Sequence, residues 1–193
     1  MIKIRIHGRG GQGAKTAAEL HVDFIIKVML GEGGYSDVQS NPFFGAERRG
    51  AHVCAYVRIC KTGIIREKGA FFDPDMVIVL DDTIVEDYAE GLKENGLVLI
   101  NSKKDPKHKC FERLQKFLVA TVDADAVAIK NRLGSERYPI VNTAILGAFL
   151  RVSKIAGLES LISAIETETD AKIKENQKAA EEAYNSVKTN REE

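Results

Sequence analysis

The sequence predicts an α/β three-layer sandwich with a mostly parallel or mixed central sheet, a glycine-rich first strand-to-helix turn and a C-terminal helical extension. Three observations predict it. Ile2, Ile4 and Ile6 alternate with Lys3, Arg5 and His7, the period-2 signal of a strand with one buried face. Gly8, Gly10, Gly11 and Gly13 follow, and then an apolar run from Ala14 to Leu30 long enough for a helix. Beyond them, strand-like and helix-like segments alternate through most of the chain, which favours a sheet covered by helices on both faces.

The first helix is expected from Lys15 to Leu30, stopped by Gly31, with a turn over Gly31 to Gly34. A short strand is expected over Tyr35 to Ser40, then an irregular segment from Asn41 to Gly50. His52 to Ile59 alternates again, with Val53, Ala55, Val57 and Ile59 on one face and Cys54, Tyr56 and Arg58 on the other. A Lys61-Thr62-Gly63 turn suggests that Ile64 to Lys68 returns as an antiparallel hairpin partner. Asp73-Pro74-Asp75 reads as a turn. The apolar runs Met76 to Leu80 and Leu97 to Ile100 read as strands buried on both faces. Between them, Thr83 to Glu94 is a predicted helix ended near Asn95-Gly96. Asn101 to Lys109 reads as a loop, Phe117 to Val122 as a strand and Ala124 to Leu133 as a helix stopped at Gly134. Val141 to Ala156 reads as a largely buried helix, started and capped by Asn142-Thr143. Glu159 to Asn190 is charged and alanine-rich, one or two amphipathic helices with Ile162, Ile165, Ile173, Ala180 and Tyr184 inward and a frayed end. One domain over 1–193 is expected, with 158–193 as the helical extension.

At 193 residues, 44% apolar and 29% charged, the chain is long enough for one sizeable core and has the balance of a soluble globular protein. Its 28 basic and 28 acidic residues cancel, which argues against a protein built to coat nucleic acid or an anionic membrane. No run of apolar residues is long enough for a transmembrane helix, and a charged strand stands at the N-terminus in place of a secretory signal. Three cysteines, Cys54, Cys60 and Cys110, form no CxxC pair, so a reducing cytoplasm is the expected setting. They are too few for an iron–sulfur cluster, and no cluster of ligands has zinc spacing. No metal site is expected in this chain.

The glycine loop, Gly8-Arg9-Gly10-Gly11-Gln12-Gly13, has the build of an anion-binding turn. Glycines let backbone approach a ligand, and the N-terminus of the following helix favours negative charge. It satisfies GxGxxG literally, but a dinucleotide site also needs an acidic residue at the end of the second strand, about 20 residues on. Glu32 lies in a glycine turn and Asp37 inside the candidate strand, so neither is well placed. Arg9 and Gln12 stand where small residues are usual, and Lys15 follows Ala14, which fails the Walker pattern. Three readings stay open: a turn that binds nothing, an anion site, and a nicotinamide or flavin dinucleotide site.

Phe43, Phe44, Glu47, Arg48 and Arg49 make the second notable segment. Two aromatic rings on a loop require cover, and paired arginines suit carboxylate or phosphate. An internal ion pair with Glu47 is one reading; a protein interface, where Arg and Phe are enriched, is the other. His7 abuts the glycine loop and His52 follows the basic loop, so they are candidates to meet, but no nucleophile with a supporting partner is evident, and catalytic residues are not expected. Asp81-Asp82 stand at the carboxyl end of a buried strand, as ligand residues or as a helix cap. Cys54 and Cys60 read as packed or surface thiols.

Residues 4–18, Ile-Arg-Ile-His-Gly-Arg-Gly-Gly-Gln-Gly-Ala-Lys-Thr-Ala-Ala, resemble the opening of the gamma subunit of 2-oxoacid:ferredoxin oxidoreductases, most of all the pyruvate enzyme. The block from Phe44 to Ala51 followed by the strand carrying Val53 to Ile59 resembles that subunit's second hallmark. Asp73-Pro74-Asp75 with Val77 to Leu80, and Asn142 to Ala148, resemble the remaining two. The resemblance spans residues 2 to about 150 and implies a subunit of a complex that decarboxylates pyruvate with coenzyme A to acetyl-CoA and carbon dioxide, passing electrons to ferredoxin. It implies alpha, beta and delta partner subunits that hold thiamine diphosphate, magnesium and [4Fe-4S] clusters, with none of these in this chain. The isolated chain is then expected to be inactive, its role one of assembly. Coenzyme A carries phosphates that the glycine loop or Arg48 and Arg49 are candidates to meet. The alternatives are a gamma-type subunit for 2-ketoisovalerate or 2-oxoglutarate, a free-standing dinucleotide-dependent dehydrogenase, and a binding module for a phosphorylated ligand.

Overall fold

The alternating N-terminal residues form a strand, Ile2–Arg9, two residues longer than the alternation alone suggests, because hydrogen bonding continues through Gly8 and Arg9. The structure, a computed structural model, describes residues 1–9, 28, 30–31, 34–43, 52–84 and 89–191. In chain order the strands and helices are β1 (Ile2–Arg9), β2 (Asp37–Phe43), β3 (His52–Cys60), β4 (Met76–Val79), β5 (Leu97–Asn101), β6 (Leu118–Val122), α1 (Ala124–Lys130), β7 (Gly134–Ser135), β8 (Tyr138–Pro139), α2 (Asn142–Ser153), α3 (Leu158–Glu168), α4 (Ile173–Ser186) and β9 (Lys188–Thr189). Turns of 3-10 helix lie at Asp82–Ile84 and Lys109–Leu114.

Seven strands form one mixed sheet in the order β2-β3-β1-β4-β5-β6-β9. The four strands β1, β4, β5 and β6 run parallel, and β3, β2 and β9 complete the sheet through antiparallel pairs. The central β5 is buried at every residue, and β4 at all but its first, as expected for parallel strands covered on both faces.

One face of the sheet packs against α1–α4. Ile4, Ile6, Val57, Ile59, Ile78, Leu99 and Val122 meet Ala144, Ile145, Phe149, Leu161, Ile165 and Ala180 in the larger core. Burial of each such aliphatic side chain is worth roughly 1.5–3 kcal/mol. On the other face Val77, Val79, Val98, Ile100 and Val119 pack under Ala89, Leu92, Phe111, Leu114 and Phe117. The expected three layers are present. The helix α2 is buried from Asn142 through Leu150, polar Asn142 and Thr143 included. Among the described residues, no helix is long and apolar enough to cross a membrane.

Several expectations require correction. Residues 41–43 are strand, not irregular: β2 is an edge strand, where Pro42 is tolerated because its missing N–H need not serve the ladder. Residues 64–68 form no strand, since both edges of β3 are already taken by β1 and β2. Of the helix expected over 83–94, the described part is the 3-10 turn at Asp82–Ile84 followed by turns over 89–96; residues 85–88 lie outside the described set. Asn142 and Thr143 do not cap α2. Val141 occupies that position without a side-chain bond, and Thr143 Oγ1 instead donates to Asn176 Oδ1 of α4 at 3.0 Å.

The end expected to fray is held through residue 190, and residues 192–193 lie outside the described residues. Lys188 and Thr189 pair with Thr121 and Ala120, and the Asn190 N–H donates to the Val119 carbonyl. The Asn190 side chain accepts from the Val119 N–H at 2.9 Å and donates to Gln115 Oε1 and the Phe117 carbonyl. Of the inward positions expected in the helices before it, Ile165 and Ala180 are fully buried, and Ile162, Ile173 and Tyr184 pack at the edge of the larger core. Val28, Leu30 and Gly31 are helical; the rest of the first predicted helix lies outside the described residues.

Candidate functional site

Strand register brings the two notable loops together. Arg9 pairs with His52, and Phe43 pairs with Cys54, so β1 and β2 end where β3 begins. The segments after Arg9 and between Phe43 and His52 therefore leave from one end of three adjacent strands. This is also the carboxyl end of β4 and β5, and β1 sits between a return connection on one side and a parallel crossover on the other. Open α/β sheets place ligands at such a switch point. Gly8 and Arg9 are the last residues of β1, and Gly10, Gly11, Gln12 and Gly13 lie outside the described residues. Phe43 ends β2, and Phe44, Glu47, Arg48 and Arg49 lie outside them too.

Gly8 has a packing reason as well as a loop-entry one. A Cβ there would stand 3.3 Å from Leu80 Cδ1, and the Leu80 N–H donates to the His7 carbonyl at 2.8 Å. The glycine thus lets β1 and the exit of β4 lie close together beneath the loop.

Asp37 is the first residue of β2, at the opposite end of the sheet from the glycine loop, and its Oδ2 accepts from the Ile65 N–H at 2.7 Å. The seven residues of β2 separate it from that end by about 20 Å. It cannot serve a ribose bound at the loop. The immediate neighbours of β1 are β3 and β4, so the usual dinucleotide arrangement with a parallel second strand is absent on the β2 side.

The second face of β1 and β3 carries a buried polar array that sequence reading missed, running along the strands away from the loops. Lys3, Arg5 and His7 pair with Arg58, Tyr56 and Cys54. Arg58 is only 2% exposed. Its guanidinium carbon lies 4.8 Å from the Phe71 ring centroid, and its Nε is 3.8 Å from Glu67 Oε2. Arg5 donates from Nη2 to the Glu90 carbonyl at 2.7 Å. The Asp73-Pro74-Asp75 turn is tied to the same array: Lys3 Nζ donates to Asp73 Oδ1 at 2.8 Å, and the Lys3 N–H donates to Asp75 Oδ2 at 2.7 Å. The available signal was the run of basic residues on alternating positions of β1, with Arg58 on the facing strand.

Cys54 is a packed thiol. Burial pushes its pKa up to about 11, against the hydrogen bond with Tyr56 and the charge of Arg5. Burial, then the neighbouring Cys54, pushes the Tyr56 hydroxyl up to about 12. Both are neutral near pH 7. His7 is 4% exposed and stands opposite Cys54, while His52 stands opposite Arg9, so the two histidines occupy alternate rungs of one strand pair, with Gly8–Val53 between them.

A second polar network lies at the ends of β4 and β5. Asp81 caps the 3-10 turn, its Oδ1 accepting from the Thr83 N–H at 3.0 Å and hydroxyl at 2.6 Å. Asp82 Oδ2 accepts from Ser102 Oγ at 2.6 Å and Lys104 Nζ at 2.8 Å. Asn101 donates to Asp125 Oδ1 and accepts from the Ala124 N–H, joining β5 to α1. Among the described residues, no group of three or more His, Cys, Asp or Glu side chains is arranged to hold a metal ion.

Partial burial opposes ionisation of Asp82, but Lys104 and Ser102 outweigh it and hold its carboxyl below the ordinary range. Lys104 is raised in turn, first by its bond to Asp82. A depressed carboxylate stabilises the fold above its ordinary range and loses that contribution as pH falls through it. Asp82→Asn should therefore cost about 1 kcal/mol at pH 7, a charge-assisted bond discounted for solvent exposure. Urea denaturation should show that difference shrinking towards pH 3. A constant difference across that range would assign the loss to packing.

A model of the family described as pyruvate ferredoxin/flavodoxin oxidoreductase matches residues 3–186. The chain is 46% identical over 190 residues to a pyruvate/ketoisovalerate oxidoreductases common subunit gamma of Thermococcus kodakarensis, covering 96% of each chain. It is 42% identical over 191 residues to the pyruvate synthase subunit PorC of Methanothermobacter marburgensis, covering 97% of this chain and 98% of that one. The crystal structure of the pyruvate oxidoreductase subunit PORC of Thermotoga maritima superposes with a TM-score of 0.77 at 33% identity, covering 98% of both.

Proposed function

The chain belongs to the pyruvate ferredoxin/flavodoxin oxidoreductase family, and from that premise we propose that it is the gamma subunit of a complex that oxidatively decarboxylates pyruvate. In this reading pyruvate and coenzyme A give acetyl-CoA and carbon dioxide, with ferredoxin as electron acceptor. The alpha, beta and delta partner subunits hold thiamine diphosphate, magnesium and [4Fe-4S] clusters. The observation that carries the reading is near-complete, end-to-end similarity to chains named as subunits of such enzymes. The positions of the described residues agree with it. The thiol nearest the loops is buried with its pKa pushed up to about 11, and Asp37 stands at the wrong end of the sheet for a dinucleotide.

This chain contributes a rigid mixed sheet that presents two loops from one end. The glycine loop over residues 8–13 is the candidate anion site, and coenzyme A phosphate is its proposed ligand. Phe43, Phe44, Glu47, Arg48 and Arg49 are the proposed contact with a partner subunit, and the complex works in the cytoplasm. A second reading has specific support: a relative named as common to pyruvate and ketoisovalerate oxidoreductases suggests that one such subunit serves two oxoacids. Assay of the purified complex with pyruvate, 2-ketoisovalerate and 2-oxoglutarate tests both. Pyruvate turnover supports the first reading, equal turnover of 2-ketoisovalerate the second, and activity with 2-oxoglutarate alone would refute both.

Arg48→Ala with Arg49→Ala should weaken assembly at least about tenfold while shifting the melting point of the isolated chain by no more than about 2 °C. Sedimentation of the mixed subunits measures the first and calorimetry the second. Normal assembly together with a destabilised chain would mean that the arginines serve internal ion pairs.

A further inference from the structure

The carboxyl ends of β5 and β6 carry a second recess, two to three strands from β1 and so about 10–15 Å along the sheet from the glycine loop. It is a cleft of about 280 Å³, and four of its lining residues are lysines from three separate parts of the chain. Lys103 and Lys104 come from the segment after β5, Lys130 from the end of α1 and Lys188 from β9. Two lining acids, Asp123 and Glu182, offset part of this charge.

Both acids are already engaged. Asp123 Oδ1 accepts from the Ala126 N–H at 2.9 Å, capping α1. Glu182 accepts from Lys130 Nζ at 2.6 Å and from Asn131 Nδ2 at 3.2 Å. Lys104 is held by Asp82, which lies outside the cleft wall. Lys103 and Lys188 are exposed, and no described carboxylate lies within ion-pair distance of either. Neither ammonium group thus has a described carboxylate at contact distance, although Asp82 attracts Lys103 from farther off, and the two come from separate segments of a recess at the ends of parallel strands.

The geometry points to a binding site for a small phosphate monoester in this cleft, held by Lys103 and Lys188. Ammonium groups are point charges that meet a tetrahedral dianion from separate directions, whereas a carboxylate is better matched by the planar fork of arginine, and none lines the cleft. The volume is near the lower limit for small-molecule sites, about 300 Å³, and so suits a phosphate with a compact organic head.

Calorimetric titration of the full chain with inorganic phosphate and with AMP at low ionic strength tests it. Saturable binding of AMP is expected, weakening with added salt as exposed charges are screened. Lys103→Gln with Lys188→Gln should reduce affinity about tenfold, because two charge contacts are lost, while Lys61→Gln, on a remote exposed turn, should leave it unchanged. Lysine acetylation footprinting gives a readout independent of any variant: AMP should protect Lys103 and Lys188. Undiminished affinity in the double variant overturns the proposal, as does the absence of both saturable heat and protection. Binding that is lost in Gly10→Val but retained in the lysine variant also overturns it and moves the anion to the glycine loop.

Discussion

Gly147→Ala should destabilise the fold by about 3 kcal/mol, near the upper end for overpacking a well-filled core. Gly147 lies in the middle of α2, where a Cβ would stand 2.1 Å from the backbone carbonyl oxygen of Ala180 in α4. No rotamer change relieves a clash with backbone. The two helices would have to separate, and Ala179, Ala180 and Ala183, all fully buried, would lose their close packing. For a chain of this size the melting point should fall by about 6–12 °C. Ala180→Gly should not rescue it, since the obstructing atom belongs to the main chain. A shift below about 2 °C would show that α2 and α4 are less closely apposed than the structure has them.

Gly91→Ala should cost about as much, for two reasons that act together. Gly91 has φ +75, in the left-handed region, and an added Cβ would meet the Phe72 carbonyl oxygen at 1.9 Å. The left-handed conformation alone is worth roughly 1 kcal/mol, and the overlap adds the larger share. The turn it makes lays Leu92 into the smaller core and presents the Glu90 carbonyl to Arg5. The damage should therefore reach the polar array on β1 and β3. Hydrogen exchange should quicken in β1, which carries Arg5, as well as at the turn. Loss of protection confined to 89–96 would show that the turn is independent of the array.

Much of the sheet was legible because burial imposes simple patterns. Strands β4 and β5 are continuous apolar runs, and β1 and β3 alternate. The failures share a cause: each depended on a neighbour remote in sequence. Residues 41–43 read as irregular until β2 is known to be an edge strand, and residues 64–68 read as a strand until both sides of β3 are known to be occupied. Strand β9 is only two residues long, and the Asn190 side chain carries much of its attachment to β6. Thr143 reads as a cap until Asn176 is brought opposite it.

The candidate site divides in the same way. Composition marks the glycine loop and the basic–aromatic segment, but only strand order reveals that they leave one end of three adjacent strands. Arg5 and Arg58 look like solvated strand residues, yet both are buried, under cover that includes Phe71, whose ring lies against Arg58. Lys103 and Lys188 lie 85 positions apart and line one cleft only because β9 folds back beside β6.

Native mass measurement of the assembly purified through a tag on this chain tests the central claim most directly. The account predicts one complex in which this chain is stoichiometric with a thiamine-binding subunit and an iron–sulfur subunit, and in which removal of this chain dissociates the others or abolishes oxoacid turnover. Recovery of this chain alone, with the remaining subunits assembled and fully active without it, would contradict the account.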